Sequence, residues 1–312
     1  MENTTSVLEF AILPYFMKTN NTLFIFSIVF FFAIYFSGII MNIIITTVVY
    51  LDINLHTPMY LFLCNLSVVD ICYTTITVPK LLYILLSDDN KVPFTQCLIQ
   101  IYFFFIAASA EIMVIFAMAY DRYVAICHPL NYHCILSKNT CVLFVMIIWI
   151  CSCVNSSLLT NSVLKMTFCT SVTVHQFFCD AKALINISCG GTDTFYILVY
   201  ANCLLLGFCP ALCNMMSYIR IIKVILSIKS NEGRNKAFST CSSHLTVMAI
   251  YYGSAISVYM IPTSESYSVL EQNLTVFYTT VVPVVNPLIY SLRNKDVKQS
   301  FRKLVQLNYF LH

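Results

Sequence analysis

Long apolar stretches with few charged residues constrain the fold of this chain more than any other feature. Each stretch contains about 20 residues or more, the length that an α-helix needs to cross the hydrocarbon core of a bilayer. The stretches are Leu23 to Leu51, Pro58 to Leu86, Cys97 to Tyr120, Thr140 to Leu164, Thr194 to Ile219, Ala237 to Ser264 and Gln272 to Leu292. They are continuous rather than alternating, so they predict seven helices and not the strands of a β-barrel.

Composition supports the same interpretation. Hydrophobic residues make up 59% and charged residues 10% of the 312 residues, whereas a soluble domain carries about 25% charge. The sequence therefore predicts an all-α membrane protein, a bundle of seven transmembrane helices with short loops. We expect residues 1–22 to form an extracellular glycosylated tail, 23–292 the seven-helix domain, and 293–312 a short amphipathic cytoplasmic helix and tail.

The basic residues predict an orientation in the membrane. Most lysines and arginines fall on the side shared by the first, third and fifth connections and the C-terminus. Basic loops remain cytoplasmic, so we expect a multi-pass plasma-membrane protein with its N-terminus outside and its C-terminus in the cytoplasm. No basic region followed by an apolar one precedes the first stretch, so no cleaved signal peptide is expected. Glycosylation motifs in the expected extracellular tail begin at Asn3 and Asn20.

A charged pair marks the end of the third stretch. The run from Met118 to Tyr132 reads Met-Ala-Tyr-Asp-Arg-Tyr-Val-Ala-Ile-Cys-His-Pro-Leu-Asn-Tyr. A guanidinium is costly in hydrocarbon and stays charged, so we expect Arg122 at a membrane face or pointing into a cavity. Asp121 beside it offsets that cost.

Four further motifs accompany this run. They are Leu-His-Thr-Pro-Met-Tyr at 55–60, His-Gln-Phe-Phe-Cys-Asp at 175–180, Lys-Ala-Phe-Ser-Thr-Cys-Ser-Ser-His-Leu at 236–245 and Asn-Pro-Leu-Ile-Tyr at 286–290. Together with Asp-Arg-Tyr, these motifs resemble those of odorant receptors, a family of rhodopsin-like G-protein-coupled receptors. The resemblance covers nearly the whole chain from Leu55 to Lys295.

The resemblance implies a receptor for small volatile or weakly polar molecules, which bind in a bundle cavity on the extracellular side. The implied partners are the odorant, the lipid bilayer and a stimulatory, olfactory-type heterotrimeric G protein that raises cyclic AMP. Nucleic acid, a cofactor and enzymatic activity are not expected.

The resemblance also implies an activation switch. Arg122 leaves Asp121 and approaches Tyr218 and Tyr290 when the cytoplasmic end of the sixth helix moves outward. The residues expected to form the switch are Asp121, Arg122, Tyr123, Tyr218, His244, Asn286, Pro287 and Tyr290. His244 has two interpretations, a polar latch or a buried neutral imidazole.

The helical period predicts one face of the third helix to line the cavity, because residues three and four positions apart share a face. The candidate ligand-binding residues are Phe104, Phe105, Ala108, Ser109, Ile112, Asn202, Leu206, Tyr252, Ala255, Ile256, Tyr259 and Thr279. Simple packing is the alternative for each. Amine receptors of the rhodopsin-like class carry an aspartate in the outer half of the third helix, whereas this chain has phenylalanines there, so the comparison with that class disfavours a cationic amine as ligand.

Asn42, Asp70 and Glu111 are a second polar group expected inside the bundle. Two carboxylates in a low dielectric cannot both ionise cheaply, so Asp70 and Glu111 are expected to share a proton or hold a cation. The resemblance implies that they face each other where related receptors keep a sodium ion. Inert packing is the alternative. Asn42 is interpreted as an interhelical hydrogen-bonding residue.

Four cysteines are expected on the extracellular side, where disulfides persist. They are Cys97, Cys169, Cys179 and Cys189. Four cysteines allow three pairings, and the resemblance implies Cys97 with Cys179 and Cys169 with Cys189. A metal site at His175, Cys179 and Asp180 is an alternative.

Other protein classes fit the sequence less well. A non-odorant rhodopsin-like receptor shares the Asp-Arg-Tyr and Asn-Pro-x-x-Tyr motifs, but not the motif at 236–245 or four extracellular cysteines. A transporter is expected to show broken helices and repeat symmetry around a midplane ion site, and only Asp70 and Glu111 favour it. An enzyme is disfavoured because the stretches contain no nucleophile and base in combination.

Overall fold

The computed structural model describes residues 9–15, 21–87, 89–168, 173–260, 267–293 and 295–310. The α-helices in these ranges are α1 (Asn21–Leu51), α2 (Pro58–Ser87), α3 (Phe94–Cys127), α4 (Tyr132–Ile135), α5 (Lys138–Leu164), α6 (Ala181–Ile187), α7 (Asp193–Asn202), α8 (Cys209–Ser227), α9 (Asn231–Met260), α10 (Ser268–Val276), α11 (Val282–Arg293) and α12 (Lys295–Phe310).

These helices form the predicted bundle of seven transmembrane spans. The first four spans are α1, α2, α3 and α5. The fifth joins α7 to α8 through a π-helical turn at Cys203–Phe208, the sixth is α9, and the seventh joins α10 to α11 through a π-helical turn at Phe277–Val281. By length and hydropathy, α1, α2, α3, α5 and the continuous helix Asp193–Ser227 can each cross a membrane. The chain is therefore a multi-pass membrane protein.

The third span is the centre of the bundle. It runs for 34 residues without a proline or glycine and packs against α2, α5, α8 and α9. Its side chains Ala110, Val114 and Ile115 are fully buried in the main core beside Phe62 and Leu66 of α2. This position explains why the Asp-Arg-Tyr motif at its end is close to several other helices.

Each π-helical turn lies just before a proline. Pro210 follows the turn in the fifth span, and Pro283 follows the turn in the seventh. A proline ring clashes with the carbonyl four residues earlier in an α-helix, which here belongs to Leu206 or Thr279. The wider π turn accommodates both prolines without ending the helix, and such turns often lie at functional sites. Leu206 and Thr279 are both candidate ligand-binding residues.

Short strands cover one end of the bundle, which we call the sheet end. They are β1 (Glu9–Ile12), β2 (Lys91–Pro93), β3 (Thr167–Phe168), β4 (Thr173–Val174) and β5 (Ser188–Gly190). The sheet order is β2-β1-β4, with β1 antiparallel to β2 and parallel to β4, while β3 pairs with β5. Phe10 and Ile12 of β1 are fully buried in the core at this end. The strands are not predictable from the sequence, because two to four residues carry too little periodicity.

The predicted disulfide between Cys97 and Cys179 is confirmed. It connects the start of α3 to the loop before α6, with the two Cα atoms 5.3 Å apart. Cys189 is also disulfide-bonded. Its expected partner Cys169 lies outside the described residues, so that pairing stays a prediction.

The predicted amphipathic helix after the seventh span is present as α12. Val297 and Ser300 are buried against the bundle. The hydroxyl of Tyr60 donates a hydrogen bond to Asp296 at 3.4 Å. Hydrogen bonds from Ser300 and Asn54 lower the pKa of Asp52, so α12 is also joined to the connection between α1 and α2.

Candidate functional site

Asp121 and Arg122 form a buried ion pair at the end of the bundle opposite the sheet, which we call the Arg122 end. Arg122 Nε donates to Asp121 Oδ2 at 2.8 Å, and the hydroxyl of Tyr132 donates to Asp121 Oδ1 at 2.7 Å. The Asp121 side chain is fully buried and that of Arg122 is 15% exposed. Burial and then the charge of Asp121 raise the pKa of Tyr132. Both carboxylate oxygens have donors, as a buried charge requires.

Tyr123 lies beside this ion pair but has different partners. Its hydroxyl accepts a hydrogen bond from Arg220 Nη1 at 3.3 Å and lies 3.2 Å from His128 Nε2. This group is exposed, so Tyr123 belongs to the surface of the Arg122 end.

Tyr218 and His244 connect the fifth span to the sixth. The Tyr218 hydroxyl lies 2.5 Å from His244 Nδ1, and their rings stack with centroids 5.7 Å apart. His244 is completely buried. His244 is thus buried, as the interpretation as a buried imidazole predicts. It also ties the fifth span to the sixth, as the interpretation as a polar latch predicts.

The Asn-Pro-x-x-Tyr motif reaches towards the second and third spans. Asn286 Nδ2 donates to the two carboxylate oxygens of Asp70 at 3.1 and 3.4 Å. Pro287 lies inside α11, and the buried hydroxyl of Tyr290 lies 4.0 Å from the sulfur of Met118. Arg122 is engaged by Asp121, the arrangement that the family resemblance implies for the inactive receptor.

Polar residues inside the bundle connect four of its spans. Asn42 Nδ2 donates to the carbonyl of Pro283 at 3.2 Å, so the expected interhelical hydrogen bond is present. Asp70 and Glu111 are 1% and 2% exposed, and their charges are close enough to interact. Glu111 also interacts with Tyr73 of α2.

An unpaired amide oxygen accompanies the two carboxylates. Asn286 Oδ1 is buried and has no hydrogen-bond donor among the described residues. Buried acceptors of this kind normally bind a donor, water or an ion. Carboxylate and amide oxygens are typical ligands of hard cations, so the oxygens of Asp70, Glu111 and Asn286 fit a bound cation, one of the two arrangements expected for the carboxylate pair.

Six candidate cavity residues on the third and sixth spans belong to the main core or pack against it. Phe104 is buried, with its ring 5.4 Å from that of Tyr73 and 5.1 Å from that of Phe178. The others pack against the same core while remaining partly exposed. They are Phe105, Ala108, Ile112, Tyr252 and Ala255.

The remaining candidates are less closely grouped. Ser109 is buried and accepts a hydrogen bond from Asn155 of α5 at 2.8 Å, and Asn202 donates to the carbonyl of Leu198 in its own helix at 2.8 Å. Thr279 is fully buried, whereas Ile256 is 57% exposed. Leu206 lies in the π turn of the fifth span. The side chain of Tyr259 lies outside the described residues, as do Asn3 and Asn20.

A hydrogen bond ties one cavity candidate to the fifth span. Asn214 Nδ2 donates to the hydroxyl of Tyr252 at 3.2 Å. Asn214 is almost fully buried and lies one helical turn before Tyr218. The fifth and sixth spans are therefore joined by two successive polar contacts, Asn214 with Tyr252 and Tyr218 with His244.

Comparison with known proteins shows the family to which the chain belongs. A family model described as olfactory receptor matches residues 31–307. The chain belongs to the olfactory receptor family. Human olfactory receptor 1M1 is 42% identical over 307 residues, covering 97% of this chain and 96% of that protein. Rat olfactory receptor 1 is 40% identical, covering 89% of this chain and 90% of that protein. Olfactory receptor 1E2 of Gorilla gorilla gorilla is 37% identical, covering 97% and 96%.

Membership of this family identifies the chain as an odorant receptor and a G-protein-coupled receptor, not an enzyme. The transporter interpretation is therefore set aside, as is that of a non-odorant rhodopsin-like receptor. Asp70 and Glu111, which favoured a transporter, lie instead within the polar core of a receptor bundle.

The receptor has an ionic contact at the sheet end. Lys182 Nζ lies 2.9 Å from Glu271 Oε1, which connects α6 to the start of the seventh span. Burial and then the charge of Glu271 raise the pKa of Asp180 to about 6. Cys179 is committed to its disulfide, so the alternative metal site at His175, Cys179 and Asp180 lacks its thiolate.

Several residues that position the site were not singled out from the sequence. Gln100 donates to the carbonyl of Ile76 at 2.7 Å and accepts from the backbone of Cys179 at 2.9 Å. Asn214 and Tyr132 make the contacts described above. An isolated amide in an apolar helix is the signal that marks Gln100 and Asn214, because an unpaired amide is costly in a membrane. Tyr132 carries no such signal, since loop tyrosines are common.

Proposed function

We propose that this olfactory receptor binds small volatile or weakly polar molecules in a cavity between the third, fifth and sixth spans. The cavity opens towards the sheet end, which faces outside the cell. Binding activates a stimulatory, olfactory-type heterotrimeric G protein at the cytoplasmic Arg122 end and raises cyclic AMP.

The chemistry of the candidate cavity supports this ligand class. Phe104, Phe105 and Ile112 are apolar, and none of the candidate cavity residues is charged. The Tyr252 hydroxyl is one of a few uncharged polar groups among mostly apolar candidate residues, which is the usual composition of small-molecule sites. Such a lining attracts uncharged, mostly apolar molecules and discriminates weakly between chain lengths, by about 1 to 3 kcal/mol per methylene.

The pair of contacts between the fifth and sixth spans carries the proposal. Asn214 with Tyr252 lies next to the candidate cavity, and Tyr218 with His244 lies further towards Arg122. A ligand that bonds to the Tyr252 hydroxyl competes with Asn214 for it. Because a ligand shifts two conformations only by its differential affinity for them, this competition favours a form in which the sixth span separates from the fifth.

Release of the second contact couples the cavity to the G protein. When Tyr218 leaves His244, its hydroxyl becomes free to accept a hydrogen bond from Arg122. Arg122 then leaves Asp121, and the space beneath the sixth span receives the C-terminal helix of the G protein α subunit. Exposed Arg220, Lys223 and Lys229 lie at the same end of the bundle and provide charge complementarity to an acidic partner.

The experiment is a cyclic AMP assay in cells that display the receptor, challenged with a chemically broad odorant panel. Arg122→Ala runs at matched surface level, and Arg302→Ala, an exposed position on α12, is the matched control. We expect a dose-dependent response in the wild type and in Arg302→Ala, and its loss in Arg122→Ala.

A second readout separates the ligand class from the G-protein type. Direct dissociation of different G-protein heterotrimers is measured with the same panel. Dissociation of another heterotrimer without a rise in cyclic AMP contradicts the stimulatory assignment alone. Silence in both readouts at full surface display contradicts the ligand class.

A further inference from the structure

A crevice lies on the outer surface of the bundle between the second and third spans, near the sheet end. Its volume is about 240 Å³. Its walls include Ile76 and Lys80 of α2, Val92 of β2, and Gln96, Ile99 and Phe103 of α3. Ile99 is 54% and Phe103 51% exposed. The crevice therefore opens sideways, where a membrane protein meets lipid, and is separate from the proposed odorant cavity.

Lys80 places a positive charge in this largely apolar crevice. Its side chain is half-buried, and its ammonium lies 4.6 Å from the centre of the Tyr83 ring. The ion pairs among the described residues join Arg122 to Asp121 and Lys182 to Glu271, and Lys80 is in neither. An ammonium in apolar surroundings is costly unless an anion accompanies it.

The crevice walls are held in place by Gln100, which also lines the crevice. Its amide nitrogen donates to the carbonyl of Ile76 on α2, and its amide oxygen accepts from the backbone of Cys179. These two bonds, together with the disulfide from Cys97 to Cys179, fix α3 relative to α2 and to the loop. The space beside Lys80 is thus bounded by a rigid part of the receptor.

We propose that the crevice binds a long-chain fatty acid from the bilayer. The carboxylate pairs with Lys80 Nζ and accepts a second hydrogen bond from the Gln96 amide, while the hydrocarbon chain lies over Ile99 and Phe103. Charge complementarity selects an anion, and the lateral opening selects an apolar chain. The volume is below the roughly 300 to 1,000 Å³ of drug-sized pockets, so the crevice has room for one carboxylate and part of a single chain, which continues into the bilayer, and not for the headgroup and two chains of a phospholipid.

Photo-crosslinking tests the proposal. The full-length receptor is purified into nanodiscs of neutral phosphatidylcholine, labelled with a diazirine-bearing palmitic acid, and mapped by peptide mass spectrometry. We expect labelling of the α3 segment that contains Ile99 and Phe103. Lys80→Met is expected to reduce it about ten-fold, as for loss of a charge-assisted hydrogen bond. Lys80→Arg retains it, and Lys165→Met, an exposed lysine at the same end, is the matched control.

Competition and a second variant complete the test. Ile99→Trp fills the mouth of the crevice, leaves Lys80 in place and is also expected to reduce labelling. It therefore provides an independent test should Lys80→Met fail to fold. Unlabelled palmitate is expected to compete, whereas its methyl ester is not. Labelling that persists in both variants overturns the proposal. Equal competition by the methyl ester overturns the role of the charge, and equal competition by phosphatidylglycerol identifies an anionic phospholipid as the occupant and overturns the fatty acid.

Discussion

The hydroxyl of Tyr252 is a single group that helps to hold the fifth and sixth spans together. It accepts the only hydrogen bond that Asn214 Nδ2 makes among the described residues. A typical hydrogen bond contributes about 0.5 to 1.5 kcal/mol, which is enough to shift a two-state equilibrium several-fold. Because the contact joins the fifth and sixth spans, it stabilises the conformation in which they lie together.

The first prediction concerns Tyr252→Phe, which removes the hydroxyl and keeps the ring. We expect ligand-independent signalling to rise about two- to ten-fold, since the closed form loses one hydrogen bond. The measurement is basal cyclic AMP at matched surface expression. Tyr196→Phe, at an exposed position on α7, is the control. Basal signalling equal to that of the wild type contradicts a restraining role for this contact.

Glu111 carries a second prediction at this scale. Glu111→Gln keeps the shape of the side chain but removes the charge that, with Asp70, attracts a cation to the polar core. We expect basal signalling to depend less on sodium concentration than it does in the wild type. The measurement is a sodium series at matched surface level and constant ionic strength, with exposed Asp89→Asn as the control. Identical sodium dependence in Glu111→Gln and wild type rules the cation site out.

At the scale of elements, one glutamine holds the strands to the seventh span. Gln272 Oε1 accepts a hydrogen bond from the backbone of Tyr15 at 2.8 Å, and Gln272 Nε2 donates to the carbonyl of His175 at 3.0 Å. These two bonds join the segment after β1, the segment after β4 and helix α10. The sheet is thereby attached to a transmembrane helix.

We therefore predict that Gln272→Ala loosens β1. Two backbone groups lose their partners, each worth about 1 to 3 kcal/mol when left unsatisfied. Amide hydrogen exchange in Glu9–Ile12 is expected to become several-fold faster, with little change in α3. Leu270→Ala, at an exposed position of the same helix, is the control. If exchange in β1 is as slow in Gln272→Ala as in that control, the sheet is held by its own strand pairing instead.

The positions of the transmembrane spans are predictable from the sequence, whereas the π turns within them are not. Apolar runs of 20 or more residues locate the spans because a bilayer requires that length. The π turns before Pro210 and Pro283 were not predicted, because a proline alone is compatible with a kink, a break or a π turn. Which of these forms depends on the helices packed around it.

At the scale of the whole molecule, the charges at the sheet end link stability to pH. The pKa of Asp180 is about 6, above its ordinary value of 3.8, because burial and then the charge of Glu271 oppose ionisation. The folded receptor therefore holds this proton more tightly than the unfolded chain. The resulting stabilisation is fully present below pH 3.8 and is lost as the pH rises through about 6.

The corresponding prediction concerns Asp180→Asn, which cannot ionise. In the wild type, the Asp180 carboxyl makes the midpoint temperature of thermal unfolding higher at about pH 5 than at about pH 7.5. Asp180→Asn lacks this contribution. We expect a smaller difference between the two pH values in purified Asp180→Asn receptor. Asp193→Asn, an exposed carboxylate at the same end, is the control. An equal pH difference in all three proteins contradicts the assignment to Asp180.

The seven spans, the receptor family and the motifs expected to form the switch can all be read from the amino-acid sequence. Hydropathy is a local property, and a run such as Met118 to Tyr132 can be read without knowing its neighbours. The pairing of Cys97 with Cys179 came from the family resemblance and agrees with the structure. The hydrogen-bond partners of Asp121, Asn214 and Gln100, and the small sheet that covers one end, became visible only in the folded receptor. Hydrogen bonds between distant segments depend on helix rotation and packing, which sequence periodicity does not specify.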